Sequence, residues 1–408
     1  MLNLIWLSFF VVAFLAGCYQ WFILGNQDIW NQLIQSTFAS AKLGFDVSMG
    51  LVGVLCLWLG LLKIAEEAGA VRLLSRFLAP LFHRLMPDVP KNHPALGSMT
   101  MNIAANILGL DNAATPMGLK AMQELQELNP VKHIASNAQI LFLVLNASSV
   151  TLLPVTIFMY RAQQGAVNPA SVFIPILLAT SVSTFVGVLS VAWVQKIQIW
   201  NRVVLAYLAG YTLLLCSIIF YFSYIPPHQQ MVQSSLIGNL LLFMVIISFL
   251  ITGYCRKIRV YDTFIEGAKD GFHVAVRIIP YLVAMLVGIG VFRACGALEG
   301  LLSLIQKGVL IMGWDPAFVP ALPTAFIKPF SGSGARAMLI ETMQTYGVDS
   351  FPALVSAIIQ GSTETTFYVL AVYFGSVGIT HIRHAVVCAL LADIAGIITS
   401  ILLGYWFF

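Results

Sequence analysis

Between two apolar stretches the chain reads "KPFSGSGARAM" at 328–338, where Lys328 and Arg336 bracket Ser331-Gly332-Ser333-Gly334. Glycines let backbone N–H groups turn towards one point, and a helix beginning near Ala335 adds partial positive charge there. Together these groups make a seat for an anion or a carboxylate. The plain alternative is a turn whose arginine pairs with a carboxylate from another helix. A second polar group, Gln360, Ser362, Thr363, Glu364, Thr365 and Thr366, sits inside an apolar run. So many polar side chains predict an unwound segment lining a cavity, although hydroxyl residues also serve helix packing. Glu364 has three roles open to it: pairing with Arg336 or Lys328, coordinating a cation, or taking up a proton. Asp393, further along, is another charged partner for this region.

The first half of the chain carries a matching set. Asn102 and Asn106 share a helical face, and Asp111, Asn112 and Thr115 offer N-caps around Pro116. Capping alone can account for Asn112 and Thr115, whereas an unpaired carboxylate such as Asp111 is expensive at membrane depth. Asn146, Ser148, Ser149 and Thr151 precede Pro154, which breaks helix hydrogen bonding. The candidate solute-binding set is Asn102, Asn106, Asp111, Asn112, Thr115, Asn146, Ser148, Ser149, Lys328, Ser331, Ser333, Arg336, Ser362, Thr363, Glu364 and Thr365. His273 and Arg277 fall near a predicted cytoplasmic helix end, where they can snorkel, and are left out of it.

Such residues need elements that hold them inside a bilayer. The chain has 408 residues, 59% of them hydrophobic and 9% charged, and a mean hydropathy of +0.89. That composition predicts an all-α, polytopic helical membrane protein. Apolar runs predict about nine spans, near 4–24, 43–65, 134–160, 169–195, 203–224, 234–254, 272–294, 352–376 and 384–406. The first is expected to be a retained span, since it lacks a basic leader and a cleavage site. Leu73–Met86 and Leu298–Met312 read as helices lying in the interface. Each leads into a segment rich in Gly, Pro, Asn and Ser, at 94–128 and 318–345, with the pattern of a re-entrant helical hairpin. The net charge of +4 and short basic loops give no nucleic-acid patch. The six scattered cysteines read as small apolar residues, with no metal site or cofactor expected. There is no HExxH, GxSxG or P-loop, so enzyme and nucleotide-driven pump readings lack a motif. Lysines and arginines concentrate on connections that then lie in the cytoplasm, putting the N-terminus inside and the C-terminus outside. Arg161 and Lys307 are exceptions.

The halves repeat. "AKLGFDV" (41–47) matches "AKDGFHV" (268–274), and Gly69-Ala70 matches Gly296-Ala297. "KAMQ" (120–123) parallels "IETMQ" (340–344), which sets Asp111–Thr115 opposite Gly332–Arg336; "NASSVTLLPV" (146–155) falls opposite "GSTETTFYVL" (361–370). Five predicted crossings separate Phe45 from Phe272, so the second unit is expected to be inverted.

"NIAANILGLDNAATPMGLKAMQEL" (102–125) closely resembles spore maturation protein A. "KPFSGSGARAM" (328–338) and "GSTETTFYVLAVYFGSVGI" (361–379) closely resemble spore maturation protein B. The resemblance covers almost the whole chain and implies a fusion. Its parts are an A-like unit at 1–200, a linking helix and outer loop at 201–229, and a B-like unit at 230–408. Both resembled families belong to the nucleoside-recognition, or Gate, group, which also furnishes the membrane part of ferrous-iron transporter B and resembles a segment of concentrative nucleoside transporters. This implies a transporter-like protein of a bacterial cytoplasmic (inner) membrane, moving a small polar or anionic solute, nucleoside-like or a carboxylate, through a midplane site. A coupling ion (proton or sodium) and a homo-oligomer are left open as partners, beside the lipid bilayer. The competing reading is a non-transporting scaffold or regulatory partner of an envelope enzyme.

Overall fold

The computed structural model describes residues 2–108, 111–148, 151–198 and 200–408. Ser149 lies outside the described residues, as do the side chains of Asp111 and Asn112. The first half contains α1 (Leu2–Phe22), α2 (Ile29–Glu67), α3 (Ala70–Leu85), α4 (Pro94–Ile107), α5 (Asp111–Leu128), α6 (Asn137–Ser148), α7 (Val155–Gln163) and α8 (Phe173–Gln195). A linking helix, α9 (Arg202–Ser223), follows. The second half contains α10 (Pro227–Cys255), α11 (Val260–Ala294), α12 (Ala297–Ile311), α13 (Leu322–Ile327), α14 (Gly332–Tyr346), α15 (Phe351–Ser362), α16 (Thr366–Ser376) and α17 (Ala385–Phe407). Element for element, α10 to α17 follow the order of α1 to α8.

Seven of these helices are long and apolar enough to cross a membrane: α1, α2, α8, α9, α10, α11 and α17. The runs at 134–160 and 352–376 are not continuous spans. Each is two helices end to end, α6 with α7 and α15 with α16, separated where the polar residues and Pro154 interrupt helical hydrogen bonding. The expected starts at 43 and 272 are also corrected. α2 and α11 begin at Ile29 and Val260 and run for 39 and 35 residues, because most of the charged residues of their first halves occupy one face while Leu33, Gly44, Gly271 and Ala275 are buried on another. α3 and α12 each start from a glycine in the left-handed region, Gly69 (φ +81°) and Gly296 (φ +75°), a conformation that a side chain would strain. α4 with α5, and α13 with α14, form the hairpins.

α2 and α11 pack antiparallel through small residues that let their backbones approach closely. A Cβ placed on Gly44 would lie 3.0 Å from the Val283 backbone, and one on Gly271 would lie 2.6 Å from the Cys56 backbone. The register that matches Gly44 with Gly271 also carries Val283 onto Cys56, so these two contacts exchange. The same holds for Gly267 against Lys63 and Gly290 against Ser40. Flanking helices crossing between halves complete this layer. α1 lies on α11, with Trp6 Nε1 donating to the Ala284 carbonyl at 2.8 Å and Gln20 Nε2 to that of Cys295 at 2.8 Å. α10 lies on α2, where Phe249 joins Leu61, Leu62 and Ala65 in one apolar cluster.

Candidate functional site

A helix that stops inside a membrane leaves carbonyl and N–H groups that water cannot reach, so they must be satisfied within the protein. Here the two broken helices satisfy each other. The Glu364 N–H, in the break between α15 and α16, donates to the Ala147 carbonyl near the end of α6 at 2.8 Å. Thr363 is fully extended at this point (φ −145°, ψ 171°). α8 supports the first break: the Ser148 carbonyl accepts from Thr184 Oγ1 at 3.1 Å and from Thr180 Oγ1 at 3.5 Å. α17 supports the second, with Thr366 Oγ1 donating to the buried Asp393 Oδ2 at 2.7 Å.

Among the described residues, a backbone bond pins each hairpin to the break in its own half. Leu152 N–H donates to the Ile107 carbonyl at 3.3 Å, and Phe367 N–H to the Pro329 carbonyl at 2.9 Å. Leu152 and Phe367 are matched positions in the aligned stretches "NASSVTLLPV" and "GSTETTFYVL". Side chains repeat the connection. Asn106 Nδ2 donates to Asn146 Oδ1 at 2.8 Å in the first half; Lys328 Nζ donates to the Gln360 carbonyl at 2.8 Å in the second. Lys328 is only 4% exposed, and Phe330 stacks on Phe367 with ring centroids 5.0 Å apart. Ser331 caps α14, its Oγ accepting from Gly334 N–H at 3.0 Å, with Ser333 Oγ 3.2 Å away. A Cβ on Gly332 would lie 2.8 Å from Thr365 Oγ1 and 3.7 Å from Arg336 Nη2. The serine–glycine turn, Arg336 and the second break therefore share one place.

The family model described as "Nucleoside recognition", Gate, matches residues 48–163 and 275–380. The chain belongs to the Gate family. Each matched segment begins inside one long central helix and ends at or just past the end of one broken helix, so the match contains both hairpins and both breaks. A protein of Bacillus subtilis (strain 168), spore maturation protein A, is 38% identical over 183 residues, covering 45% of this chain and 90% of the relative. Spore maturation protein B of the same organism is 43% identical over 160 residues, covering 39% of this chain and 88% of the relative. Each relative is matched over most of its length yet takes up less than half of this Gate protein, consistent with a fusion. No solved structure matches.

Within the Gate protein the expected site residues divide by what they touch. Asn106, Asn146, Lys328, Ser331, Ser333, Arg336, Thr363, Glu364 and Thr365 gather at the hairpin turns and breaks. Glu364 is exposed there, and among the described residues it forms no ion pair with Arg336 or Lys328. Ser148 and Ser362 are buried, their hydroxyls turned back onto their own helices at Val144 and Ile359. Asn102 sits deeper in the first hairpin, donating to the Ala114 carbonyl at 2.8 Å and to Tyr373 Oη at 3.3 Å. Thr115 is half-buried on α5. Sequence reasoning missed Tyr373 and Thr184, which look like ordinary residues of apolar helices until the fold brings them to a turn or a break.

At the two ends of the Gate protein, loops from opposite halves are tied together. Thr380 and His381 N–H groups donate to the His133 carbonyl at 3.1 and 3.0 Å, and the Ala135 N–H donates to the His381 carbonyl at 2.9 Å. At the other end Arg161, 0% exposed, holds Asp349 at 2.8 Å and donates to the carbonyls of Val348, Pro169 and Asn168. A recess of about 420 Å³ opens beside the first of these loop pairs, lined by residues such as Asp88, Asn129, Asn137 and Arg383. It belongs to the end of the molecule, not to the meeting point of the breaks.

Proposed function

We propose that this Gate protein moves a small polar or anionic solute, nucleoside-like or a carboxylate, through the point where its two broken helices meet. The observation that carries this reading is the 2.8 Å bond from Glu364 N–H to the Ala147 carbonyl, which joins two interrupted helices with both hairpins attached. Discontinuous helices meeting between repeats are where transporters hold substrate and coupling ion. In this reading 1–200 and 230–408 are inverted units joined by the helix and loop at 201–229. The N-terminus is cytoplasmic, the C-terminus lies outside the inner membrane, and a proton or sodium ion is the coupling partner. The serine–glycine turn with Arg336 supplies an anion seat, and Glu364 is the exposed carboxylate beside it.

Glu364→Gln is the direct test, read by solute-induced thermal shifts over nucleosides and small carboxylates. Because Glu364 makes no ion pair among the described residues, the variant is expected to melt like the parent while losing solute binding or its pH dependence. Adding Arg336→Gln should not restore it. A stable Glu364→Gln protein with full solute response overturns this role. Tolerance of both changes, with no solute response in the parent, favours the scaffold reading.

Orientation has its own check. A C-terminal phosphatase fusion is expected to be active, and a cysteine at Lys91 is expected to be protected from impermeant reagents in intact cells. A cytoplasmic C-terminus would make the crossing number even and remove the inverted arrangement.

A further inference from the structure

Away from the end turns of the long central pair, where Glu66, Glu67 and Asp262 are also exposed, six charged side chains lie exposed: Lys42 and Asp46 on α2, and Glu266, Lys269, Asp270 and Arg277 on α11. None of these six makes an ion pair or a side-chain hydrogen bond among the described residues. This corrects the reading of His273 and Arg277 as residues at a helix end. Both sit within α11, well past its start at Val260, and both are exposed.

Their depth follows from the packing. A helix rises about 1.5 Å per residue, so a hydrocarbon layer of about 30 Å takes in roughly 20 residues of each helix. If the layer is centred on the apolar second half of α2, it includes Lys269, Asp270 and Arg277, because Cys56 lies beside Gly271. If it is centred on the apolar second half of α11, it includes Lys42 and Asp46, because Gly44 lies beside Val283. Every placement puts exposed charge at hydrocarbon depth, where lipid cannot solvate it. The other outward-facing helices behave differently. α1 and α10 contain no Asp, Glu, Lys or Arg, and α9 has only Arg202 at its first position.

We infer that this face is the contact between copies of this chain. Away from the helix ends three cations and three carboxylates share it, so this stretch carries both signs in equal number and can neutralise a second copy of itself. A partner of one sign would leave half of it unpaired. Large apolar side chains lie among the charges, with Phe45, Met49, Phe272, Val276 and Tyr281 all exposed, which argues against a water-filled channel wall. The repeated "AKLGFDV" and "AKDGFHV" stretches are divided in the same way. Their glycines close the α2–α11 pair inwards, while Lys42 and Lys269, Phe45 and Phe272, and Asp46 and His273 point out. The inference stands apart from the transport reading, since it uses neither hairpin nor break.

The test uses the full chain in nanodiscs of phosphatidylethanolamine and phosphatidylglycerol. Mass photometry is expected to show two or more copies per particle. With the exposed Cys216 and Cys255 changed to serine, Phe45→Cys and Phe272→Cys should crosslink between copies through a bis-maleimide at least ten-fold more than Ile219→Cys on α9. Asp46→Lys with Asp270→Lys should shift particles towards single copies, and the swap Lys42→Asp with Asp46→Lys should retain the assembly. Should the reversal variant fail to insert, the cysteine comparison decides. Single-copy particles of the parent, yields at 45 and 272 no higher than at 219, or stoichiometric retention of a different protein on this face would each overturn the inference.

Discussion

Arg161→Ala is expected to lower stability by about 3–5 kcal/mol, the cost of breaking a buried ion pair from one side. The arginine is 0% exposed and serves Asp349 together with the carbonyls of Val348, Pro169 and Asn168. Removing it leaves a partly exposed carboxylate with only the Val167 N–H and leaves several part-buried carbonyls without their donor. Asp349→Ala should cost less, because that side chain is 29% exposed and the guanidinium keeps its backbone acceptors. Thermal unfolding of the detergent-solubilised protein measures both. Equal melting temperatures for Arg161→Ala and the parent would show that the clamp contributes nothing. The same contacts explain why Arg161 departs from the charge bias of the other loops. Its charge is neutralised inside the protein, so it does not report on the side of the membrane.

Gly271→Val should separate the central helices. Even the first atom of a side chain would meet Cys56 Cα and N at 2.6 Å, and backbone cannot swing aside as a flexible side chain can. Gly271→Ala is therefore expected to cost about 1–3 kcal/mol, as overpacking does, and the valine more. Gly53→Ala, with nothing within 4 Å of its added atom, should be neutral. Cys56→Ala should not rescue Gly271→Val, because the clash is with the main chain. Rescue by that substitution would place the contact on the sulfur instead and defeat the account.

Much of this architecture was legible in the residues because a membrane narrows the choices. Pro154 and the cluster from Ser362 to Thr366 could not continue an apolar helix unaided, and the chain breaks there. Gly69 and Gly296 marked the starts of α3 and α12 because a left-handed position selects glycine. The first halves of α2 and α11 were harder. Charges at 42, 46, 266, 269, 270 and 277 lower average hydropathy, and an average over a window cannot tell one charged face from a charged loop. The partners of Asn102 and Ser148 were hidden for a different reason. Tyr373 and Thr184 come from elements far along the chain, and nothing local marks a hydroxyl that will meet a helix break. Glu364 lies inside the broken segment, where its cluster of polar neighbours put it, but pairing with Arg336 was one of several options and is absent among the described contacts.

The bonds from Trp6 to Ala284 and from Gln20 to Cys295 join positions 278 and 275 residues apart. α1 therefore enters the membrane long before the helix it rests on has been made. At roughly 5–20 residues per second, that wait is on the order of ten seconds to a minute. Throughout it the Ala147 carbonyl has no Glu364 amide, and the small-residue face of α2 has no α11. Assembly of the first half cannot finish on the ribosome's schedule, and its unfinished surfaces must be sheltered until the second half arrives.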